Sequence, residues 1–354
     1  MHRWVWAVVL AGCGGGGDDA PACADCAVTI VRHAEVTGAC PGPRGLRLDV
    51  VLTDEVSPVG PEAFEVAPTS ADFLLDTATL APVGPGEGEP VALASRGVTF
   101  VGPAGPRLVV LVVDQSASLV GTDPETGLKN PEKASDPQGL RFPFFSGLLT
   151  DLPPDDEVAL VSFKGLFGVV DPAYSTPTTN RGATRAGLAT LDGSELGMTP
   201  LARGLIDALE KVIEVHPERA PVVVLFTDGV EAGDSSDLPD RPDISDLEAA
   251  TQAYEAQGIP VHVLQLAPPA AAETPRARDE RLADLACRTG GSWTYLPDAA
   301  SLSEGTRRAL VDRMAGAWRV DVDAALNGQE GGSLLDVRGR FVGTTGGGRP
   351  WIFW

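Results

Sequence analysis

Five side chains near the predicted ends of buried segments carry oxygen atoms that could bind one cation together. They are Asp114, Ser116, Ser118, Thr199 and Asp228. In an extended turn, residues two apart point the same way, so the acid and both serines of Asp-Gln-Ser-Ala-Ser face one side. Oxygen-only ligand sets select Mg²⁺, and two neighbouring carboxylates need a cation to offset their repulsion. The pattern predicts a site for Mg²⁺, with Mn²⁺ or Ca²⁺ as alternatives.

The segments around these residues have the pattern of buried strands alternating with helices. The run LVVLVV before the first acid contains no polar residue, which is typical of a strand covered on both faces. The predicted strands are 108–113, 157–163, 222–227, 261–266 and 292–295. The predicted helices are 142–151, 183–191, 201–215, 244–257, 278–288 and 302–315. This alternation indicates an α/β fold with a doubly wound, mostly parallel, Rossmann-like sheet, whose ligands bind at the carboxyl ends of the strands.

As a set, the polar residues resemble the metal-ion-dependent adhesion site of the von Willebrand factor A (vWA) family. That site has the pattern Asp-x-Ser-x-Ser, a distant Thr and a later Asp-Gly. The matching pieces are DQSAS at 114–118, GMTPL at 197–201 and TDG at 227–229. Similarity in LPPDDEVALVSF, GIPVHVLQL and LACRTGGSW extends the resemblance over residues 107–317. The resemblance implies a vWA fold around a divalent metal.

The resemblance also implies how each side chain meets the metal. Ser116 and Ser118 bind it directly, and Thr199 joins them when a ligand is bound. Asp114 and Asp228 bind directly or through water. Each motif alone has a plainer explanation, since Asp-x-Ser-x-Ser can cap a helix and Asp-Gly can form a turn. Their joint occurrence favours the metal site.

Two features depart from the family pattern. Ala117 stands where glycine is common in bacterial members, and its Cβ is expected to tighten the loop without removing a ligand. The polar stretch 121–139 delays the first helix of the α/β segment. It is interpreted either as a specificity loop beside the metal or as a surface insertion, and the sequence leaves both open.

The amino terminus has the features of a targeting signal. Residues 1–12 join a short basic start to an apolar stretch that is too short to cross a bilayer. Leu-Ala-Gly-Cys at 10–13 resembles the lipobox of bacterial lipoproteins, which implies cleavage before Cys13 and a lipid on that residue. Residues 13–26 then form a flexible tether. Gly14 implies retention at the outer membrane under the rule of enteric bacteria, so we expect a lipid-anchored envelope protein, on either face.

Four more cysteines follow the lipobox. They are Cys23, Cys26, Cys40 and Cys287. An oxidising envelope makes disulfides the default, and Cys23 or Cys26 is expected to close a loop onto Cys40. Zinc binding or redox chemistry at the Cys-x-x-Cys pair is the alternative, but the sequence offers neither a second ligand pair nor a surrounding βαβ pattern. Cys287 lies in a helical pattern and is interpreted as a small core residue.

Both flanks of the vWA-like segment, 106–317, have the pattern of β-structure. Residues 27–105 hold short strand patterns broken by Pro and Gly, which predicts a small β-sandwich. Within them, LDVVLTDEVSPVGPEAFEV resembles the β module that precedes vWA domains in some bacterial proteins. Residues 318–354 return to strands with glycine-rich turns, and we expect them to pair with the N-terminal strands. The vWA-like segment would then be an insertion in the sandwich.

Charge and motif together narrow the function. The 354 residues include 49 acidic and 27 basic side chains, a formal net charge of −22, which argues against a nucleic-acid partner because phosphates would be repelled. We expect a membrane-anchored envelope protein that binds a protein or glycan ligand through the metal, with a carboxylate of the ligand on the cation. A structural scaffold with a loop-stabilising metal is the alternative.

A metal-dependent hydrolase is less favoured. The sequence has no Gly-x-Ser-x-Gly elbow, no Asp-x-Asp after the first strand of the α/β segment and no P-loop. Its histidines are scattered, and none is assigned a role. They are His2, His33, His216 and His262. We therefore expect no enzymatic activity and no catalytic residue.

Overall fold

A computed structural model describes the chain from residue 33 onward, with gaps. The described residues are 33–42, 45–53, 58, 60, 64, 68–82, 89–90, 93–102, 105–122, 128–166, 169–170, 173–197, 199–229, 247–267, 280–324, 332–341, 346–348 and 351–353. The predicted signal peptide and tether, 1–26, lie outside them. None of the described helices is long and apolar enough to cross a membrane.

The described residues form the following strands and helices. The strands are β1 (His33–Gly42), β2 (Gly45–Thr53), β3 (Phe73–Pro82), β4 (Glu89–Pro90), β5 (Leu93–Val101), β6 (Arg107–Asp114), β7 (Glu157–Phe163), β8 (Gly165–Leu166), β9 (Val169–Val170), β10 (Ala173–Tyr174), β11 (Ala220–Thr227), β12 (Val261–Leu266), β13 (Trp293–Leu296), β14 (Ala317–Ala324), β15 (Gly332–Phe341), β16 (Gly346–Gly348) and β17 (Trp351–Phe353). The helices are α1 (Arg141–Asp151), α2 (Arg181–Leu191), α3 (Leu201–Ala208), α4 (Leu247–Gln257), α5 (Glu280–Thr289) and α6 (Glu304–Ala315). A π-helical turn, Leu209–Ile213, continues α3.

The chain divides into two compact units. The α/β unit is Pro103–Met314, and the flanking unit is Met1–Gly102 with Ala315–Trp354. The α/β unit is built on a six-stranded sheet of order β10-β7-β6-β11-β12-β13, in which β10 alone runs antiparallel to its neighbour. All eight residues of β6 are buried, as its aliphatic run predicts. The predicted mostly parallel α/β sheet is confirmed.

Side chains of β6 alternate between two hydrophobic cores, one on each face of the sheet. The even-numbered residues of 108–113 pack in one core with residues of α3, α4 and α5. The odd-numbered residues pack in the other core with residues of α1, α2 and α6. All six predicted helices are present, and their ends lie within three residues of the prediction when the π-helical turn Leu209–Ile213 is counted with α3. Strand β10 was not predicted, because two exposed residues carry no hydrophobic periodicity.

The flanking unit consists of two antiparallel sheets. One has the order β1-β2-β14-β5, and the other has the order β16-β15-β3-β4 with β17 also paired to β15. Leu48 and Trp318 of the first sheet share a hydrophobic core with Phe73 and Phe341 of the second. Each sheet therefore combines strands from before and after the α/β unit.

The chain leaves the flanking unit and returns to it on neighbouring strands. Val101, the last residue of β5, pairs with Ala317, the first residue of β14. Gly316 has a φ of 133°, and a Cβ on Gly102 would lie 2.9 Å from the Cα of Gly316. Glycine is required at both positions, because one needs an unusual backbone conformation and the other a close backbone approach.

Candidate metal site

The loop after β6 carries the first three predicted ligands. β6 ends at Asp114, and the backbone N–H of Gln115 donates to the carbonyl oxygen of Phe163 at 3.0 Å, which fixes the loop to the end of β7. The hydroxyl oxygens of Ser116 and Ser118 are 2.9 Å apart. Both hydroxyls therefore reach the same place, as alternation along the loop requires.

Asp114 is completely buried and receives hydrogen bonds from neutral donors. Its Oδ1 accepts from the backbone N–H of Ser116 at 2.7 Å, and its Oδ2 accepts from the hydroxyl of Thr227 at 2.7 Å. Burial and the neighbouring charge of Asp228 nevertheless raise the pKa of Asp114 to about 7. The hydrogen bonds offset only part of the free energy that this buried charge costs.

Asp228 lies directly after β11 and is 5% exposed. The hydroxyl of Ser135 donates to its Oδ2 at 2.7 Å. Gly229 has a φ of 95°, and a Cβ there would collide with the side chain of Gln265, so the turn after Asp228 requires glycine. The N–H of Gly229 donates to the hydroxyl of Thr227 at 3.0 Å, which closes the turn and holds Asp228 at the strand end.

Thr199 lies just before α3 and is 4% exposed. Its loop is hydrogen-bonded to the loop after β6 at two points. The N–H of Ala117 donates to the carbonyl of Gly197 at 3.0 Å, and the N–H of Leu196 donates to the carbonyl of Gln115 at 3.0 Å. Backbone pairing therefore places the Thr199 loop beside the loop of the two serines, and the Cβ of Ala117 is accommodated in a buried position.

The donor set fits a hard cation. The five predicted ligands lie on three adjoining segments, at the carboxyl ends of β6 and β11 and before α3, and offer two carboxylates and three hydroxyls. These are the oxygen ligands that Mg²⁺, Mn²⁺ and Ca²⁺ accept. Within the described part of the chain, no group of three or more His, Cys, Asp or Glu side chains gathers into an alternative metal centre.

A buried ion triad, Asp136, Arg141 and Glu195, was not found from the sequence. The guanidinium of Arg141 donates to Oδ2 of Asp136 at 2.7 Å and to Oε1 of Glu195. Asp136 also accepts the backbone N–H of Leu140 at 2.7 Å, at the start of α1. Asp136 and Arg141 are completely buried, and Glu195 is 7% exposed. Arg141 and Glu195 are 54 residues apart, so no local pattern in the sequence predicts that they pair.

The stretch 121–139 contacts the site through its C-terminal part. Residues 123–127 lie outside the described residues, 129–133 are exposed, and 134–136 are buried. The N–H of Ser135 donates to the carbonyl of Ser118 at 3.2 Å. The buried residues 134–136 would not be needed in a surface insertion. The exposed residues 129–133 fit both interpretations, a specificity loop and a surface insertion.

The cysteines fall into two groups. Cys13, Cys23 and Cys26 lie outside the described residues, and Cys40 lies in β1 with no described side chain, so the lipidation and disulfide predictions for them stay predictions. Cys287, half-buried on α5, is disulfide-bonded. The interpretation of Cys287 as a small core residue is therefore wrong. A helical pattern shows that a position is partly buried but not which distant cysteine can reach it.

Comparison with known proteins shows similarity in fold alone. No protein-family model and no curated protein matches the chain. Proximal thread matrix protein 1 of the mussel byssus, with zinc in its MIDAS motif, is 16% identical with a TM-score of 0.44 over 64% of this chain and 50% of that chain. The pilus adhesin SpaC of Lactobacillus rhamnosus GG is 14% identical with a TM-score of 0.44 over 64% of this chain and 34% of that chain. A von Willebrand factor type A protein of Catenulispora acidiphila is 15% identical with a TM-score of 0.42 over 82% of this chain and 75% of that chain.

This chain thus spans about half the length of the mussel protein. Identities this low carry no relative's ligand or activity to it. The α/β unit itself has a doubly wound, mostly parallel six-stranded sheet, with helices on both faces and the motif residues at the carboxyl ends of β6 and β11 and before α3.

Proposed function

We propose that the protein binds a divalent cation, Mg²⁺ foremost, at the five oxygen-bearing side chains. These are Asp114, Ser116, Ser118, Thr199 and Asp228. The observation that carries the proposal is that Asp114 and Asp228 are both buried at the ends of the neighbouring strands β6 and β11, beside the hydroxyls of Ser116 and Ser118, which are 2.9 Å apart. Burial and the charge of Asp228 raise the pKa of Asp114 to about 7, in keeping with this arrangement. Two buried carboxylates repel each other at neutral pH, and a cation between them relieves that repulsion. A bound cation supplies an electrophilic position that accepts an oxygen atom of a ligand.

The ligand that this site fits is a protein or glycan that offers a carboxylate. Asp114 and Asp228 together balance a divalent charge, but they are buried and share their charge with hydrogen-bond donors. The hydroxyls of Ser116, Ser118 and Thr199 bring no charge of their own. A cation held this way keeps its attraction for a further anionic oxygen, so the function is metal-dependent binding of the adhesion type.

A lipid on Cys13 is proposed to anchor the protein at the outer membrane of the cell envelope. The disulfide at Cys287 supports this placement, because disulfides persist in oxidising compartments. Labelling with a fatty-acid analogue should mark the wild type and spare Cys13→Ser. Equal labelling of both proteins, or a wild type free in the periplasm, would remove the anchor.

Partner capture tests the binding function. Envelope extract is passed over the immobilised protein in Mg²⁺, in EDTA, and in EDTA followed by excess Mg²⁺. A partner is expected to be retained, released and retained again, and Ser118→Ala should capture none. Because Ser118 is partly exposed, its loss should remove a ligand of the cation without disturbing the buried core. Capture that persists in EDTA would contradict the proposal.

A structural scaffold is the second candidate, and the backbone hydrogen bonds of the site favour it. The backbone N–H of Gln115 donates to the carbonyl of Phe163, and that of Ala117 donates to the carbonyl of Gly197. These hydrogen bonds already connect the loop after β6 to the end of β7 and to the Thr199 loop. A cation would lock them further without any partner. If Mg²⁺ raises the melting temperature while no metal-dependent partner is captured, the scaffold is the better description.

A hydrolase has the least support. His262 pairs with Val224 inside the sheet, and its Nδ1 lies 2.9 Å from the hydroxyl of Ser292. Burial, with the charges of Arg313 and Arg107, lowers the pKa of His262 to about 3. A histidine held neutral in this way is unsuited to general acid or base catalysis near neutral pH.

A further inference from the structure

Ser135 contacts both halves of the site although it belongs to none of the three motifs. Its hydroxyl donates to Oδ2 of Asp228 at 2.7 Å and lies 3.4 Å from the carbonyl oxygen of Ser118. Its backbone N–H donates to the same carbonyl at 3.2 Å. Ser135 is 6% exposed, so these contacts are made away from bulk water. One residue thus connects the loop after β6 to the acid after β11.

The next residue in the chain fixes Ser135 in place. The N–H of Asp136 donates to the carbonyl of Leu119 at 2.8 Å, which continues the pairing with the loop after β6. The carboxylate of Asp136 accepts the N–H of Leu140 and the guanidinium of Arg141, both at 2.7 Å. Because these groups are buried, Ser135 stands on a fixed support.

Arg141 extends this support to the opposite side of the site. Its guanidinium binds Glu195, and the following residue, Leu196, donates its N–H to the carbonyl of Gln115 at 3.0 Å. The ion triad therefore holds both segments that flank the Asp-x-Ser-x-Ser loop. The position of Ser135 is set together with that of the Thr199 loop.

We propose that Ser135 is a positioning residue of the metal site, whose hydroxyl fixes the carboxylate of Asp228 for the cation. The inference rests on the proposed metal binding and adds a residue outside the adhesion motif. A carboxylate that accepts a hydrogen bond at one oxygen has a defined orientation, so less entropy is lost when a cation binds. Groups that orient a ligand in this way typically contribute 10- to 100-fold in metal affinity.

The test separates the effect of the hydroxyl at position 135 from the effect of side-chain shape. Ser135→Thr keeps the hydroxyl, and Ser135→Val has nearly the shape of threonine without it. Titration calorimetry of the mature protein with MgCl₂ and MnCl₂ should give an affinity about 10- to 100-fold weaker for Val, with Thr within about threefold of wild type. Ser135→Ala should behave like Val. Ser146→Ala, on α1 and outside the site, is the matched control and should bind as wild type does.

The outcomes separate the two proposals. Equal metal affinities of the Thr and Val variants, with a wild type that binds, would overturn the role of Ser135 and leave the metal site standing. A wild type that takes up neither ion would overturn the metal site and the role of Ser135 with it. Melting temperatures in EDTA provide the second readout. If Ser135 were only structural, the Val variant would have a lower melting temperature in EDTA, but the Thr and Val variants would bind the metal with the same affinity.

Discussion

Asp114 and Asp136 are both completely buried, yet the protein surrounds them differently. Asp136 is paired with the guanidinium of Arg141, which also binds Glu195. Asp114 is hydrogen-bonded to the N–H of Ser116 and the hydroxyl of Thr227, both neutral. One buried acid therefore has a cation built into the chain, and the other has polar groups that orient it without balancing its charge.

This difference distinguishes Asp136, whose role is structural, from Asp114, which we propose binds a cation. An ion pair supplied by the sequence forms whenever the chain folds and responds little to solution conditions. In the proposed site, the buried carboxylates of Asp114 and Asp228 would take their balancing charge from an ion in solution. Folding alone completes the ion triad, whereas the proposed metal site would be complete only with a bound cation.

The largest expected effect comes from breaking the built-in pair. Arg141→Leu leaves Asp136 and Glu195 buried without their cation, which should lower the free energy of unfolding by about 3–5 kcal/mol. Chemical denaturation in EDTA measures it. Arg308→Ala, at an exposed arginine on α6, is the control and should stay within about 0.5 kcal/mol of wild type. A loss below about 1 kcal/mol in Arg141→Leu would mean that the triad is not structural.

Neutralising the other acid should have the opposite effect on stability. Asp114→Asn removes a ligand and a buried charge, so Mg²⁺ affinity should fall at least about 100-fold, while the metal-free protein unfolds at the same or a higher denaturant concentration. Calorimetry and denaturation in EDTA measure the two effects. Asp284→Asn, on the exposed side of α5, serves as the control. Unchanged Mg²⁺ titration in Asp114→Asn would exclude this acid as a ligand.

The pH dependence sharpens the same contrast. Because the folded pKa of Asp114 is raised to about 7, the metal-free folded state holds this proton more tightly than the unfolded chain, whose aspartates titrate near 4. This residue's contribution to stability should therefore fall as pH rises from about 4 to about 7 and stay level above. Mg²⁺ competes with the proton, so its affinity should weaken about tenfold per pH unit below 7. Calorimetry at pH 8, 7 and 6 would show this, and an affinity that does not change with pH would contradict the raised pKa.

The smallest effect is expected from salt. The chain carries a net charge of −22, so an acidic partner meets long-range repulsion before it reaches the cation. Screening acts over about 10 Å at 0.1 M salt and hardly weakens direct coordination. Association rates with the captured partner should stay within about threefold or rise with NaCl. Rates that fall steeply with salt would indicate a basic partner steered by surface charge, and the carboxylate would be excluded.

The sequence was sufficient to predict the strands and helices whose hydrophobic residues form a regular pattern or a continuous run. The run Leu108–Val113 contains no polar residue, and it forms the central buried strand β6. The helix after Thr199 begins at Leu201, as its pattern indicates. The predicted ligand residues could be placed from the sequence because they stand directly at strand ends and at a helix start, where chain position determines their place relative to the sheet.

Contacts between distant residues could not be predicted in this way. The hydrogen bond from Ser135 to Asp228 joins positions 93 residues apart, within a polar stretch that has no periodicity. The pair Arg141 and Glu195 is 54 residues apart. Such pairings depend on how loops of unequal length pack together, and no local preference encodes that packing. The disulfide at Cys287 was missed for the same reason.

The adjacency of β5 and β14 has a consequence for the order in which the protein folds. β14 lies between β2 and β5, but more than two hundred residues of the α/β unit are synthesised between β5 and β14. During synthesis from the amino terminus, β2 and β5 therefore wait with open edges until the α/β unit has been completed. Open strand edges pair readily with other chains. The flanking unit would thus be the last to close and the part most dependent on protection during synthesis.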